Sequence, residues 1–185
     1  MVRLSALCIS VVVAACTFAR AEDLATAPPN CAVPDDVTRL MNPLARTGKR
    51  IAGGEAVKIV AIGSSSTAGA GASSPDKSYP SRLSVELKER FSSQQVTVIN
   101  RGVNGEVAAD MLKRLDDGVL SEKPDLILWQ VGANAVLRDA EIVSIRSDIL
   151  EGLRRMKASG ADVILMIRNS HPRCWRRKMP RRWWI

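Results

Sequence analysis

Four short apolar runs, alternating with stretches of helical period, constrain this chain more than any other feature. The runs are Val57 to Ile62, Val96 to Asn100, Asp125 to Val131 and Val163 to Met166. Asp125-Leu126-Ile127-Leu128-Trp129-Gln130-Val131 is the clearest, because it is short and nearly continuous in apolar residues, as a strand buried on both faces must be. Between the runs, Leu83, Leu87 and Phe91 recur at helical spacing over Tyr79 to Phe91, and Met111, Leu112 and Leu115 share one side of Val107 to Leu115. Ile142, Ile145, Ile149, Leu153 and Met156 mark a longer helix. Arg154, Arg155 and Lys157 stand near its end, where the helix dipole favours cations, and Gly160 is its expected stop. The alternation predicts an α/β chain, with three α/β/α layers around a parallel sheet.

A length of 185 residues allows one domain with a real core. The formal net charge of +8 is unevenly placed: Arg168 to the C-terminus carries seven of the 27 Lys and Arg and no acid, leaving 20 basic against 19 acidic side chains before it. The basicity belongs to the Arg/Trp-rich tail, not to the domain. At the other end, Arg3 followed by apolar Leu4 to Ala15 and by Ala19-Arg20-Ala21 reads as an export signal cleaved after Ala21. The run is too short to span a bilayer, which takes about 20 residues. A secreted or periplasmic location is expected, with no membrane span after cleavage. Val13-Ala14-Ala15-Cys16 leaves lipid anchoring at Cys16 as the alternative. Cleavage would leave Cys31 and Cys174, whose pairing the sequence does not decide. No Cys/His cluster has metal-ligand spacing, so no structural zinc is expected. The expected organisation is a signal peptide over 1–21, a Pro-containing leader over 22–54, the α/β domain over 55–166 and an aberrant basic tail over 167–185.

In parallel α/β sheets, ligands bind beyond the carboxyl ends of the strands. After the first run comes Gly63-Ser64-Ser65-Ser66-Thr67-Ala68-Gly69, after the second Asn100-Arg101-Gly102-Val103-Asn104-Gly105, and after the third Gly132-Ala133-Asn134-Ala135. These loops offer a hydroxyl nucleophile, a backbone N–H at a glycine and a side-chain amide. Ester cleavage needs an attacking oxygen and donors aimed at the oxyanion that forms. A glycine lets substrate approach the backbone, and an asparagine amide donates without adding charge.

The three loops, in this order, resemble the blocks of the SGNH (GDSL-type) hydrolase family of esterases and lipases. Gly63-Ser64-Ser65-Ser66-Thr67 is similar to the Gly-Asp-Ser-Leu block, with Ser65 on the nucleophile and Ser64 in place of Asp. Asn100 to Gly105 is similar to the second block, with Gly105 on the oxyanion glycine. Gly132 to Ala135 is similar to Gly-x-Asn-Asp, with Asn134 on the oxyanion asparagine and Ala135 in place of Asp. The resemblance covers about Val57 to Met166. It implies a flavodoxin-like sheet, a serine hydrolase acting on small-molecule, lipid or carbohydrate esters, catalytic Ser65, Gly105 and Asn134, and no cofactor. The family's late Asp-x-x-His block has no counterpart here. His171 is the only histidine, has no Asp three residues before it and follows the fourth run too closely. Turnover is therefore expected to be impaired. The tail after Met166 has neither helical nor strand period, and reads as a truncated or frameshifted C-terminus.

Other readings fit less well. Gly69-Ala70-Gly71 suggests a dinucleotide loop, but Ser74 stands where the third glycine belongs and the second run ends in Asn100, not an acid. A non-catalytic ligand-binding module would use the same cleft. Binding of nucleic acid or an anionic membrane by the Arg/Trp tail is the remaining alternative, and no nucleic-acid partner is expected of the domain.

Overall fold

The structure is a computed structural model and describes Leu40 and residues 42–167. The expectations for the export segment, Cys16, Cys31, His171, Cys174 and the Arg/Trp tail lie outside the described residues. Four parallel strands, β1 (Val57–Gly63), β2 (Val96–Gly102), β3 (Leu126–Val131) and β4 (Asp162–Ile167), form one sheet in the order β2-β1-β3-β4. This is the flavodoxin-like order, with its switch point between β1 and β3.

The helices are α1 (Ala45–Ala52), α2 (Ser65–Ala68), α3 (Tyr79–Arg90), α4 (Ala108–Lys113), α5 (Leu115–Gly118), α6 (Ala133–Leu137) and α7 (Ile142–Ala158). Alternation along each strand splits the core in two. Val60, Ile62, Ile127, Trp129 and Val131 face Met111, Leu115, Ile145, Ile149 and Met156 of α4, α5 and α7. Val57, Ile59, Ala61, Leu126 and Leu128 face the other way, toward Leu83 and Leu87 of α3 and Ile51 of α1. Every residue of β3 is buried, as its apolar run demands.

Helix α1 lies within the stretch read as a Pro-containing leader, where no apolar period is visible. Besides Ile51, polar contacts hold it. Thr47 is buried and its N–H donates to Asp162 Oδ2 at 2.7 Å, while Arg46 Nε donates to Asp125 Oδ1 at 2.9 Å. Asp125 Oδ2 also accepts from the Lys58 N–H at 3.0 Å, so one carboxylate joins α1, β1 and the start of β3.

The expected helix over Val107 to Leu115 is broken into α4 and α5 at Arg114, whose φ is −110° and ψ 10°. The Arg114 guanidinium is turned to Glu106, with Nε donating to Oε1 at 2.8 Å, and Nη2 also donates to the Arg101 carbonyl at 2.9 Å. Strand β2 runs two residues further than the apolar pattern, through Arg101 and Gly102. The parallel ladder with β1 pairs the backbone up to Gly63 and Gly102, whatever the side chains are.

Candidate active site

The carboxyl ends of β1, β2 and β3 are neighbours in the sheet: Gly63 is in register with Gly102, and Ile62 with Trp129. The three loops that follow therefore leave from one edge. Ser65 opens α2 and is half-buried, Gly105 lies in the loop after β2, and Asn134 is the second residue of α6.

Hydrogen bonds tie these loops together. The Val103 N–H donates to the Gly63 carbonyl at 2.9 Å, joining the second loop to the first. Asn134 Nδ2 donates to the Glu106 carbonyl at 2.9 Å, joining the third to the second. Asn100 Nδ2 donates to the Thr67 carbonyl at 2.8 Å, and its Oδ1 accepts from the Gly102 N–H at 2.9 Å. A carboxamide has two N–H donors, so Asn134 keeps one beyond its bond to Glu106.

Glycine is required at two of these positions. Gly105 has φ +81°, a left-handed conformation that other residues rarely adopt, and Arg138 Nη2 donates to its carbonyl at 2.8 Å. At Gly102 a Cβ would stand 2.2 Å from the Ala68 backbone nitrogen, so only glycine lets α2 sit against the end of β2.

The two departures from the expected motifs are both buried. Ser64 is 3% exposed, and its Oγ donates to Gln130 Oε1 at 3.2 Å. Ala135 is part of the apolar core beside α4 and α7, where a carboxylate would be desolvated. Thr67, fully buried, also donates to Gln130 Oε1, at 3.3 Å, and contacts the Tyr79 hydroxyl at 3.1 Å. Burial pushes the Tyr79 phenol above its ordinary range. Gln130, Thr67 and Tyr79 were not singled out from the sequence, although Gln130 is a lone polar residue in an otherwise apolar strand and signals a special environment.

The Glu106 carboxylate is clasped by Arg114, whose Nη2 reaches Oε2 at 2.5 Å. Among the described residues, no group of three His, Cys, Asp or Glu side chains is disposed to hold a metal ion. A polar groove of about 480 Å3, lined by Ser84, Lys88, Ser92 and residues 94–98, lies beside β2 and includes none of the three loops.

This sheet order, with three such loops above one edge, defines the class of SGNH/GDSL-type hydrolases. The chain belongs to the non-GDSL lipase-like family, whose model matches residues 30–175. An arylesterase of Vibrio mimicus is 37% identical over 91 residues, which are 49% of this chain and 44% of that protein. The chain thus spans less than half the length of this relative. Among solved structures, a substitution variant of the esterase AlinE4 is 30% identical with a TM-score of 0.57, covering 64% of this chain and 62% of that one. The acetylxylan esterase Axe2 of Geobacillus stearothermophilus shares the fold at 20% identity and a TM-score of 0.54, over 59% of this chain and 58% of its own.

Proposed function

We propose that this chain acts on ester bonds through Ser65, with the Gly105 backbone N–H and the Asn134 side-chain amide receiving the oxyanion. The observation that carries this is the joining of three loops at one sheet edge, above all the bond from Asn134 Nδ2 to the Glu106 carbonyl, next in sequence to Gly105. Attack by Ser65 Oγ on an ester carbonyl would form a tetrahedral oxyanion. Expulsion of the alcohol would then leave an acyl group on Ser65 for water to remove. The arylesterase and acetylxylan esterase relatives support aryl or carbohydrate esters as the substrate class.

Residues 1–185 contain no Asp-x-x-His pattern. The apolar N-terminal segment supports export to the periplasm or beyond. Among the described residues, no helix is long and apolar enough to cross a membrane.

The oxyanion assignment is tested by the rate of p-nitrophenyl acetate hydrolysis in the parent and in Asn134→Ala. Loss of one such donor is expected to slow the reaction by about 100-fold. Equal rates in the two proteins would overturn the assignment.

A further inference from the structure

Gln130 is the one polar side chain on β3, and it is 6% exposed. A buried polar group without partners is costly, and here the Gln130 Nε2 has none among the described residues, so the oxygen alone ties the side chain down. Its oxygen has three, all on the turn that carries Ser65: the Ser64 N–H at 3.1 Å, Ser64 Oγ at 3.2 Å and Thr67 Oγ1 at 3.3 Å. A backbone N–H can only donate, so the bond from Ser64 fixes which end of the carboxamide faces the turn. Thr67 has one hydroxyl proton. With that proton given to Gln130, the Tyr79 hydroxyl must be the donor in the 3.1 Å contact to Thr67 Oγ1.

Gly63 makes room for this cluster. A Cβ there would stand 2.1 Å from Thr67 Oγ1 and 2.9 Å from Gln130 Oε1. The donors on residues 64 and 67 flank Ser65 on both sides, and the strand that supplies the acceptor is fully buried. A rigid strand therefore holds a helix of only four residues, too short to define its own start.

We propose that Gln130 is the positioning residue of this turn, its carboxamide oxygen holding residues 64 and 67 so that the Ser65 hydroxyl is presented in one place. The catalytic consequence rests on the reading of Ser65 as nucleophile; the anchoring of the turn does not.

The test uses the full chain with Gln130→Met, which keeps the side-chain length and removes the acceptor, and Gln130→Glu, which keeps an oxygen. Amide hydrogen exchange is followed at Ser64, and at Val60 and Ile127 within the neighbouring strands. The rate at which a fluorophosphonate modifies Ser65 is measured alongside. In Gln130→Met, exchange at Ser64 is expected to rise by about tenfold relative to Val60 and Ile127, with modification of Ser65 slowed about as much, as loss of one hydrogen bond implies. Gln130→Glu is expected to restore both toward the parent. Exchange that rises equally at all three amides, or stays unchanged at Ser64, would overturn the proposal. A parent whose Ser65 is never modified would overturn the nucleophile reading alone, and the exchange comparison would still decide on Gln130.

Discussion

Asn134 and Glu106 are joined through a side-chain amide and a backbone carbonyl 2.9 Å apart, and this bond couples the loops after β3 and β2. Glu106 is in turn held by Arg114, in a pair whose side chains are 14% and 25% exposed. The position of the Asn134 amide therefore depends on a guanidinium that no motif includes.

Arg114→Ala should loosen that arrangement. It removes the hydrogen bonds to the Glu106 carboxylate and the one to the Arg101 carbonyl. A cost of about 2 kcal/mol is expected, in the range for hydrogen bonds to charged groups. Urea unfolding of parent and variant measures it.

Asp125 is the polar knot at the opposite end of the sheet. Its carboxylate accepts from Arg46 and from the Lys58 N–H, and its own backbone carbonyl accepts from Thr47 Oγ1 at 3.3 Å. Asp125→Ala leaves the Lys58 N–H without its acceptor and frees Arg46, which is 44% exposed, from its ion pair. It is expected to cost about 1–2 kcal/mol, and to release α1 first. Hydrogen exchange across Ala45–Ala52, compared with that across β1, reads which part opens.

Much of this architecture was legible because it is apolar. β1, β3 and α7 announce themselves through runs or periods that only burial explains, and their observed bounds fall within one or two residues of those runs. Helix α1 was not legible, because Arg46 and Thr47 dock it with charge and hydrogen bonds, which leave no period. Helices α2 and α6, of four and five residues, are too short to have one. At the site, the loop residues Ser65, Gly105 and Asn134 stood out through resemblance. Gln130 and the Glu106 carbonyl act through contacts between distant segments, and Arg114 reaches Glu106 across a helix start, so no local period encodes them.

Gly152 is a further case of a long-range requirement. It lies inside α7, where alanine is the better helix former by about 1 kcal/mol. A Cβ there would stand 2.3 Å from Trp129 Cη2, on a fully buried ring. Overpacking typically costs about 1–3 kcal/mol, so Gly152→Ala is expected to be destabilising on balance. A lower thermal midpoint for the variant checks this, and a higher one would show that the indole has room to move.

Tyr79 is the only tyrosine in the chain, so phenolate absorbance titrates it alone. Its burial raises its pKa above the ordinary value of 10.0. A raised folded-state pKa contributes stability that is complete below the unfolded value and is lost as pH climbs through the folded one. The native titration midpoint is thus expected above that of the urea-unfolded chain, with stability falling on the alkaline side.

The most direct measurement is peptide mass mapping after a fluorophosphonate, which marks an activated serine covalently, has reacted with the full chain. A single adduct on Ser65, formed more slowly in Asn134→Ala and absent from Ser65→Ala, is the expected result. An adduct spread over Ser64, Ser65 and Ser66, or one that forms as fast in Asn134→Ala as in the parent, would contradict a nucleophile and an oxyanion donor working together at this sheet edge.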